Sequence, residues 1–197
     1  MQKNNLAIIL SGGLGNRFDS KVPKQFFKIN NMTIIEESVE KFISSNRFNK
    51  IIIVSHKNYL KKTKDLLKND KLKIISGGKS RQESVFLGLK EAKRFNPDNV
   101  IIHDSVRPLF SKDLIDIILN GLKSYNGIIP SMNADDSVRI YKKGVFEDIP
   151  RTNLKLIQTP QGFKFNSIFN AHQKLKNKTF TDDSIMLYQF DRKIKII

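Results

Sequence analysis

The chain has 197 residues, 39% of them hydrophobic, and a formal net charge of +16, a length that suits one domain with its own core, or one domain with a small arm. Cysteine is absent and histidine is confined to His56, His103 and His172, which excludes disulfides and thiolate metal centres and argues against a histidine-built zinc site. The lysines are spread along the chain and form no stripe with interleaved aromatics, so the charge reads as a compositional bias on solvated faces rather than the footprint of a nucleic-acid binder, although the field still favours a small anion such as a nucleotide.

Residues 1–6 carry no secretory cleavage pattern, and no stretch is long enough to span a bilayer. A soluble, cytoplasmic chain with no membrane partner is therefore expected. The apolar run 6–10 ends in glycines and reads as a buried strand. Thr33-Ile34-Ile35-Glu36 has the form of a capping box, and the apolar spacing of the next dozen residues suits a helix. Residues 51–54 form a second buried strand, and Ile74-Ile75 leads into Gly77-Gly78. Ser80-Arg81-Gln82-Glu83 is a second capping box, opening a helix through Ala92. Residues 100–102 form a strand that ends at His103-Asp104. Ser111 caps a helix to about Leu122, and Gly127–Ile129 is the next strand. Residues 137–141 and 145–149 alternate around Lys142-Lys143-Gly144, which predicts a hairpin. The segment 136–163 that holds it is expected to project as an arm. A helix over 166–175 and a strand over 193–197 follow. Strands separated by helices imply an α/β fold: a Rossmann-like, mostly parallel sheet with helices on both faces, plus the β-hairpin arm.

In such sheets ligands bind at the carboxyl ends of the strands, and three polar motifs fall there. The first is Ser11-Gly12-Gly13-Leu14-Gly15-Asn16-Arg17-Phe18 with Pro23-Lys24-Gln25. Glycines after a strand let backbone N–H groups approach a phosphate chain, and Arg17 and Lys24 add cations over it. The pattern is neither a Walker A loop nor a dinucleotide fingerprint, because no Gly-Lys-Ser/Thr follows and Phe18 stands at the third glycine position. A plain glycine turn with surface cations is the alternative. The second is Gly77-Gly78-Lys79-Ser80-Arg81-Gln82-Glu83-Ser84-Val85, two glycines before a capped helix. Its amides suit an anion, and its polar side chains could read a base edge or a ribose. The alternative is a tight turn with a good cap.

The third motif is His103-Asp104-Ser105-Val106-Arg107-Pro108. A carboxylate at a strand end, near phosphate-binding cations, suits Mg²⁺. Arg107 is suited to pair with a carboxylate and fix the loop, and His103 reads as a structural histidine. A fourth group comprises Asp136-Ser137, Arg151, Gln158-Thr159-Pro160-Gln161-Gly162-Phe163 and Thr181-Asp182-Asp183. Arginine and hydroxyls suit a phosphomonoester, whereas Asp136 and Asp183 also read as parts of solvated loops. No nucleophile–histidine–acid arrangement is present at a recognisable spacing.

Taken in order, Gly-Gly-x-Gly-x-Arg with Pro-Lys-Gln, Gly-Gly-x-x-Arg-Gln-x-Ser-Val, His-Asp-x-x-Arg-Pro, Gln-Thr-Pro-Gln-x-Phe and Thr-Asp-Asp resemble the cytidylyltransferases of the methylerythritol 4-phosphate pathway. They also resemble the related ribitol 5-phosphate cytidylyltransferases. The resemblance runs from Leu6 to Ile197 and implies the nucleotidyltransferase fold. It implies that Ser11, Gly12, Gly13 and Gly15 wrap CTP while Arg17 and Lys24 neutralise its triphosphate as the catalytic cations. Gly77, Gly78 and Ser84 would line the cytidine pocket, with Asp104 beside the phosphates and Mg²⁺. Ser137, Arg151, Thr159 and Thr181 fall where the family holds the polyol phosphate. It further implies a homodimer in which the arm reaches the neighbour's site.

Two departures stand out. The family usually has threonine where this chain has Ser137. It also continues past its last-matched strand with Asn-x-Lys-[Ile/Val]-Thr and a closing helix, whereas this chain stops at Ile197; Lys195 lies within the strand and is not that lysine's equivalent. The Ser11-Gly12-Gly13 opening leans toward the ribitol 5-phosphate branch, and the longer stretch 81–85, bordering the nucleotide pocket, leans toward the isoprenoid branch. The expected reaction is therefore cytidylyl transfer to 2-C-methyl-D-erythritol 4-phosphate. Transfer to ribitol 5-phosphate or another polyol phosphate is the alternative, followed by a nucleotide-binding module without turnover.

Overall fold

The structure is a computed structural model that describes residues 3–13 and 22–197. In chain order it comprises β1 (Asn5–Ser11), a 3-10 turn (Lys24–Phe26), β2 (Lys28–Ile29), β3 (Met32–Thr33), α1 (Ile34–Ser44), β4 (Lys50–Ser55), α2 (Leu60–Leu66), β5 (Leu72–Ser76), α3 (Arg81–Lys93) and β6 (Asn99–Asp104). There follow α4 (Lys112–Gly121), β7 (Gly127–Ile129), β8 (Ser131–Asn133), β9 (Val138–Lys142), β10 (Val145–Ile149), β11 (Lys155–Ile157), β12 (Gln161–Lys164), α5 (Phe165–Lys174), α6 (Asp183–Phe190) and β13 (Ile194–Ile196).

Seven strands form one sheet in the order β13-β7-β12-β6-β1-β4-β5. The β6, β1, β4 and β5 ladders are parallel, as is β7 with β13, and β12 runs antiparallel between β6 and β7. Strand β1 shows why both faces must be covered. Its side chains alternate between two cores: Leu6, Ile8 and Leu10 pack with residues of α3 and α5, while Ala7 and Ile9 pack with residues of α1 and α4. A strand buried on both sides reads as an unbroken apolar run. Helix α1 places Ile35, Val39 and Phe42 on its buried face, the i, i+4, i+7 spacing of one helical stripe.

The expected capping box at Thr33 is present in full: its hydroxyl accepts from the Glu36 amide, and the Glu36 carboxylate accepts from the Thr33 amide at 2.8 Å. The one at Ser80 is half formed. Ser80 Oγ accepts from the Glu83 amide at 3.0 Å, but the Glu83 carboxylate takes the N–H of Lys79 at 2.7 Å instead of that of Ser80.

The hairpin β9–β10 turns at Lys143 (φ 49°) and Gly144 (φ 83°), two left-handed residues as the twist-matched two-residue turn requires. None of the residues 138–149 is buried. Within 136–163, however, β11 pairs with β8 and β12 lies in the main sheet, where Gln161, Gly162 and Phe163 are buried. The β9–β10 hairpin forms a two-stranded sheet of its own, and β11 with β8 forms another.

Candidate active site

The parallel strands end level. Ser11 is in register with Ser55, Ser55 with Ser76, and Leu10 with Asp104. Each strand gives way to a polar turn on the same sheet edge. The Gly12-Gly13 turn is held by Gln25, a buried side chain whose Nε2 donates to the carbonyls of Ser11 (3.2 Å) and Gly13 (3.1 Å). Gly77 donates to the Ser55 carbonyl at 2.7 Å. The Ser84 hydroxyl ties this turn to α3: it accepts from the Gly78 amide at 3.1 Å and donates to the Ser80 carbonyl at 2.8 Å. A Cβ on Gly77 would lie 2.9 Å from Ser84 Oγ, and one on Gly12 would lie 3.9 Å away. The two glycine turns and the first turn of α3 therefore meet around one hydroxyl.

Beside them lies a chain of charges. Arg81, the first residue of α3, donates from Nη1 to Asp183 Oδ2 at 2.7 Å and from Nε to Asp104 Oδ1 at 3.3 Å. Arg107 approaches the other oxygen of Asp104, with Nε 3.6 Å from Oδ2, and also holds the Gln158 side chain. Asp183 is wholly enclosed, and its second oxygen meets His172 Nε2 at 3.0 Å. Burial by itself would lower the Arg81 pKa, but Asp183 and Asp104 outweigh it and hold the guanidinium firmly protonated. Burial would likewise raise the Asp183 pKa, yet Arg81 and then His172 keep it below the usual carboxylate range. A buried carboxylate without such partners would be strongly destabilising.

Of the residues expected at the site, Gly15 and Arg17 lie outside the described residues. Ser11 is buried at the end of β1, and its hydroxyl has no partner among the described residues. Lys24 is half-buried and opens the 3-10 turn next to Gln25. Thr159 lies beside Asp104, with its hydroxyl accepting the Asp104 amide at 3.3 Å and meeting His103 Nδ1 at 3.0 Å. His103 is the structural histidine expected: it is fully buried between Phe42 and Phe110, and burial first, then Arg107, pushes its pKa down to about 3.

Ser137 and Arg151 stand exposed at the base of the hairpin, where Arg151 Nη1 donates to the Asp135 carbonyl at 2.7 Å. Thr181 is exposed just before α6, and Asp182 caps that helix by accepting the Ile185 amide at 3.0 Å. The solvated-loop reading is corrected for Asp183, which is 1% exposed because Arg81 and His172 draw its carboxylate inward. Sequence reasoning assigned no role to Gln25, Arg81 or His172. The first two stand inside quoted motifs and were findable; His172 has no local signal at all.

Residues 6–197 match the family model of IspD, 2-C-methyl-D-erythritol 4-phosphate cytidylyltransferase. The chain is 39% identical over 197 residues to a Pelagibacter ubique protein named bifunctional enzyme IspD/IspF, covering 98% of this chain and 52% of that protein. It is 33% identical over 198 residues to a 2-C-methyl-D-erythritol 4-phosphate cytidylyltransferase of Thermosipho africanus, covering 97% of this chain and 87% of that one. The solved structure of 4-diphosphocytidyl-2C-methyl-D-erythritol synthase from Anaerococcus prevotii aligns with a TM-score of 0.86 at 27% identity, covering 100% of this chain and 87% of that one. This chain spans about half the length of the bifunctional relatives it matches.

Proposed function

The chain belongs to the 2-C-methyl-D-erythritol 4-phosphate cytidylyltransferase family, and from that premise we propose that it couples CTP to 2-C-methyl-D-erythritol 4-phosphate in isoprenoid precursor synthesis. The observation that carries this reading is the convergence of the Gly12-Gly13 turn, the Gly77-Gly78 turn, the start of α3 and Asp104 on one sheet edge. A phosphate oxygen of the acceptor attacks the α-phosphorus of CTP. A new P–O bond forms there, and the bond to the bridging oxygen of the β-phosphate breaks, so that pyrophosphate leaves with the electron pair. The attacking phosphate is largely dianionic near neutral pH and needs no general base. The barrier is anion meeting anion, so the protein contributes alignment and charge neutralisation.

In this reading Ser11, Gly12, Gly13 and Gly15 wrap the triphosphate, with Arg17 and Lys24 as the cations over it. Gly77, Gly78 and Ser84 line the cytidine pocket. Ser137, Arg151, Thr159 and Thr181 hold the polyol phosphate, and a homodimer formed through the hairpin would bring Ser137 and Arg151 to the partner's site. Among the described residues no group of three or more acidic, histidine or cysteine side chains could hold a metal. Asp104 still fits a cation such as Mg²⁺: each of its oxygens meets a single arginine nitrogen, leaving lone pairs, and hard cations often take one carboxylate plus substrate phosphates. Bound there, the ion would neutralise phosphate charge. No helix among the described residues is long and apolar enough to cross a membrane.

The test is pyrophosphate release with CTP and Mg²⁺, comparing 2-C-methyl-D-erythritol 4-phosphate with ribitol 5-phosphate. Release with the first acceptor alone is expected. Release with the second alone, or CTP bound without release from either, overturns the assignment.

A further inference from the structure

Among the described residues, Asp104 is the strand-end carboxylate that the proposed function places beside the phosphates, and its side chain is held from other elements. Its two oxygens face two guanidinium groups, and these are anchored very differently. Arg107 is half exposed and is otherwise held by Gln158, which is itself only partly buried. Arg81 is gripped from behind by Asp183, whose side chain is 2% exposed, and Asp183 is gripped in turn by His172, whose side chain is 1% exposed. The His172 ring lies parallel to Phe86 of α3, 6.0 Å between centroids and 4° between planes, so its orientation is set by packing. These four side chains come from α5, α6, α3 and β6, and they run from the core to the nucleotide edge without a break.

We infer that Asp183 is a positioning residue for the transfer reaction, acting through Arg81 to hold the Asp104 carboxylate at the phosphates, with His172 fixing Asp183. This rests on the cytidylyltransferase reading. A planar guanidinium can bridge two carboxylates in fixed geometry, which a lysine ammonium cannot. The fully buried partner sets the position and the partly exposed one receives it. Loss of Asp183 leaves Arg81 free to rotate onto Asp104 or the substrate, and displacements of about 1 Å in such a site lower rates by up to about 100-fold.

The test is a double-mutant cycle on the full chain with Asp183→Asn and Asp104→Asn, read by kcat for pyrophosphate release. Asp183→Asn is expected to lower kcat about 10–100-fold with an unchanged circular dichroism spectrum. In the Asp104→Asn background the same change adds no more than about twofold, because the two act as one unit. Effects that multiply, or an unchanged kcat, overturn the proposal. A second readout needs no activity: the Arg81 Nε–H resonance in a nitrogen-15 correlation spectrum, assigned by its loss in Arg81→Lys. It is expected sharp in the parent chain and broadened or moved in Asp183→Asn. If that variant does not fold, His172→Gln serves the same comparison. A resonance that neither substitution moves overturns the positioning role. A parent chain that turns over neither acceptor instead defeats the functional reading, and the resonance still decides the geometry.

Discussion

Lys24 and Arg151 are both cations, but they sit in different surroundings and are expected to fail differently. Lys24 is half-buried next to the Gln25 staple of the glycine turn. Lys24→Ala should lower kcat about 10²–10³-fold, the loss seen when one preorganised charge-stabilising donor is removed; steady-state pyrophosphate release measures it. Arg151 is exposed at the hairpin base, and Arg151→Ala should raise KM for the polyol phosphate with little change in kcat. His103 carries a prediction about pH. Its folded-state pKa of about 3 lies below the ordinary value of about 6.5. Between those limits the unfolded chain binds a proton that the native chain does not. Stability therefore falls as pH drops through that window, by up to about 1.4 kcal/mol per unit. Urea midpoints measured from pH 7 to pH 5 should fall less steeply in His103→Asn than in the parent.

At the scale of elements, the two capping motifs look alike in sequence and are used differently. Thr33 and Glu36 exchange hydrogen bonds in both directions and start α1 cleanly. Thr33→Ala should cost about 1 kcal/mol, or about 2–4 °C in Tm for a chain of this size, without touching CTP affinity. At the start of α3, Glu83 turns to Lys79, and Ser84 takes over the glycine turn. Gly77→Ala would press a methyl against Ser84 Oγ and Val54 Cγ1 at 2.9 and 3.2 Å. Because Ser84 is fixed on both sides, that change should weaken CTP binding by about tenfold, equivalent to about 1.4 kcal/mol, as calorimetry would read. The elements hardest to foresee were the short ones. β12 has four residues and owes its place to pairing with β6 and β7, a long-range event with no period of its own.

The whole molecule separates into a doubly covered sheet and a hairpin outside both cores. Tyr141 and Phe146 meet across the hairpin with tilted rings, 4.9 Å between centroids, while remaining 64% and 68% exposed, an apolar pair left open among the described residues. Replacing residues 138–149 by a two-residue turn should leave the circular dichroism spectrum and Tm nearly unchanged, since none of them is buried. It should shift the sedimentation profile from dimer to monomer if the hairpin carries the proposed homodimer.

The sequence alone determined most of the alternation of strands and helices, α2 and α6 excepted, together with the caps and the strand-end motifs. Each is written in contiguous residues: an apolar run bounded by glycines, a hydroxyl three residues before a glutamate, a cation beside a phosphate-shaped turn. From the order of those motifs the family was legible too. Tertiary structure decided what depends on residues far apart. Asp183 reads locally as a loop carboxylate and is enclosed because Arg81, 102 positions earlier, draws it in. His172 gains its partner only when α5 and α6 meet, and β12 takes its place only by pairing with β6 in the main sheet. Local patterns report backbone preference and the side of an element that is buried. Which charges neutralise one another across the core is set by packing, and no window of the chain contains it.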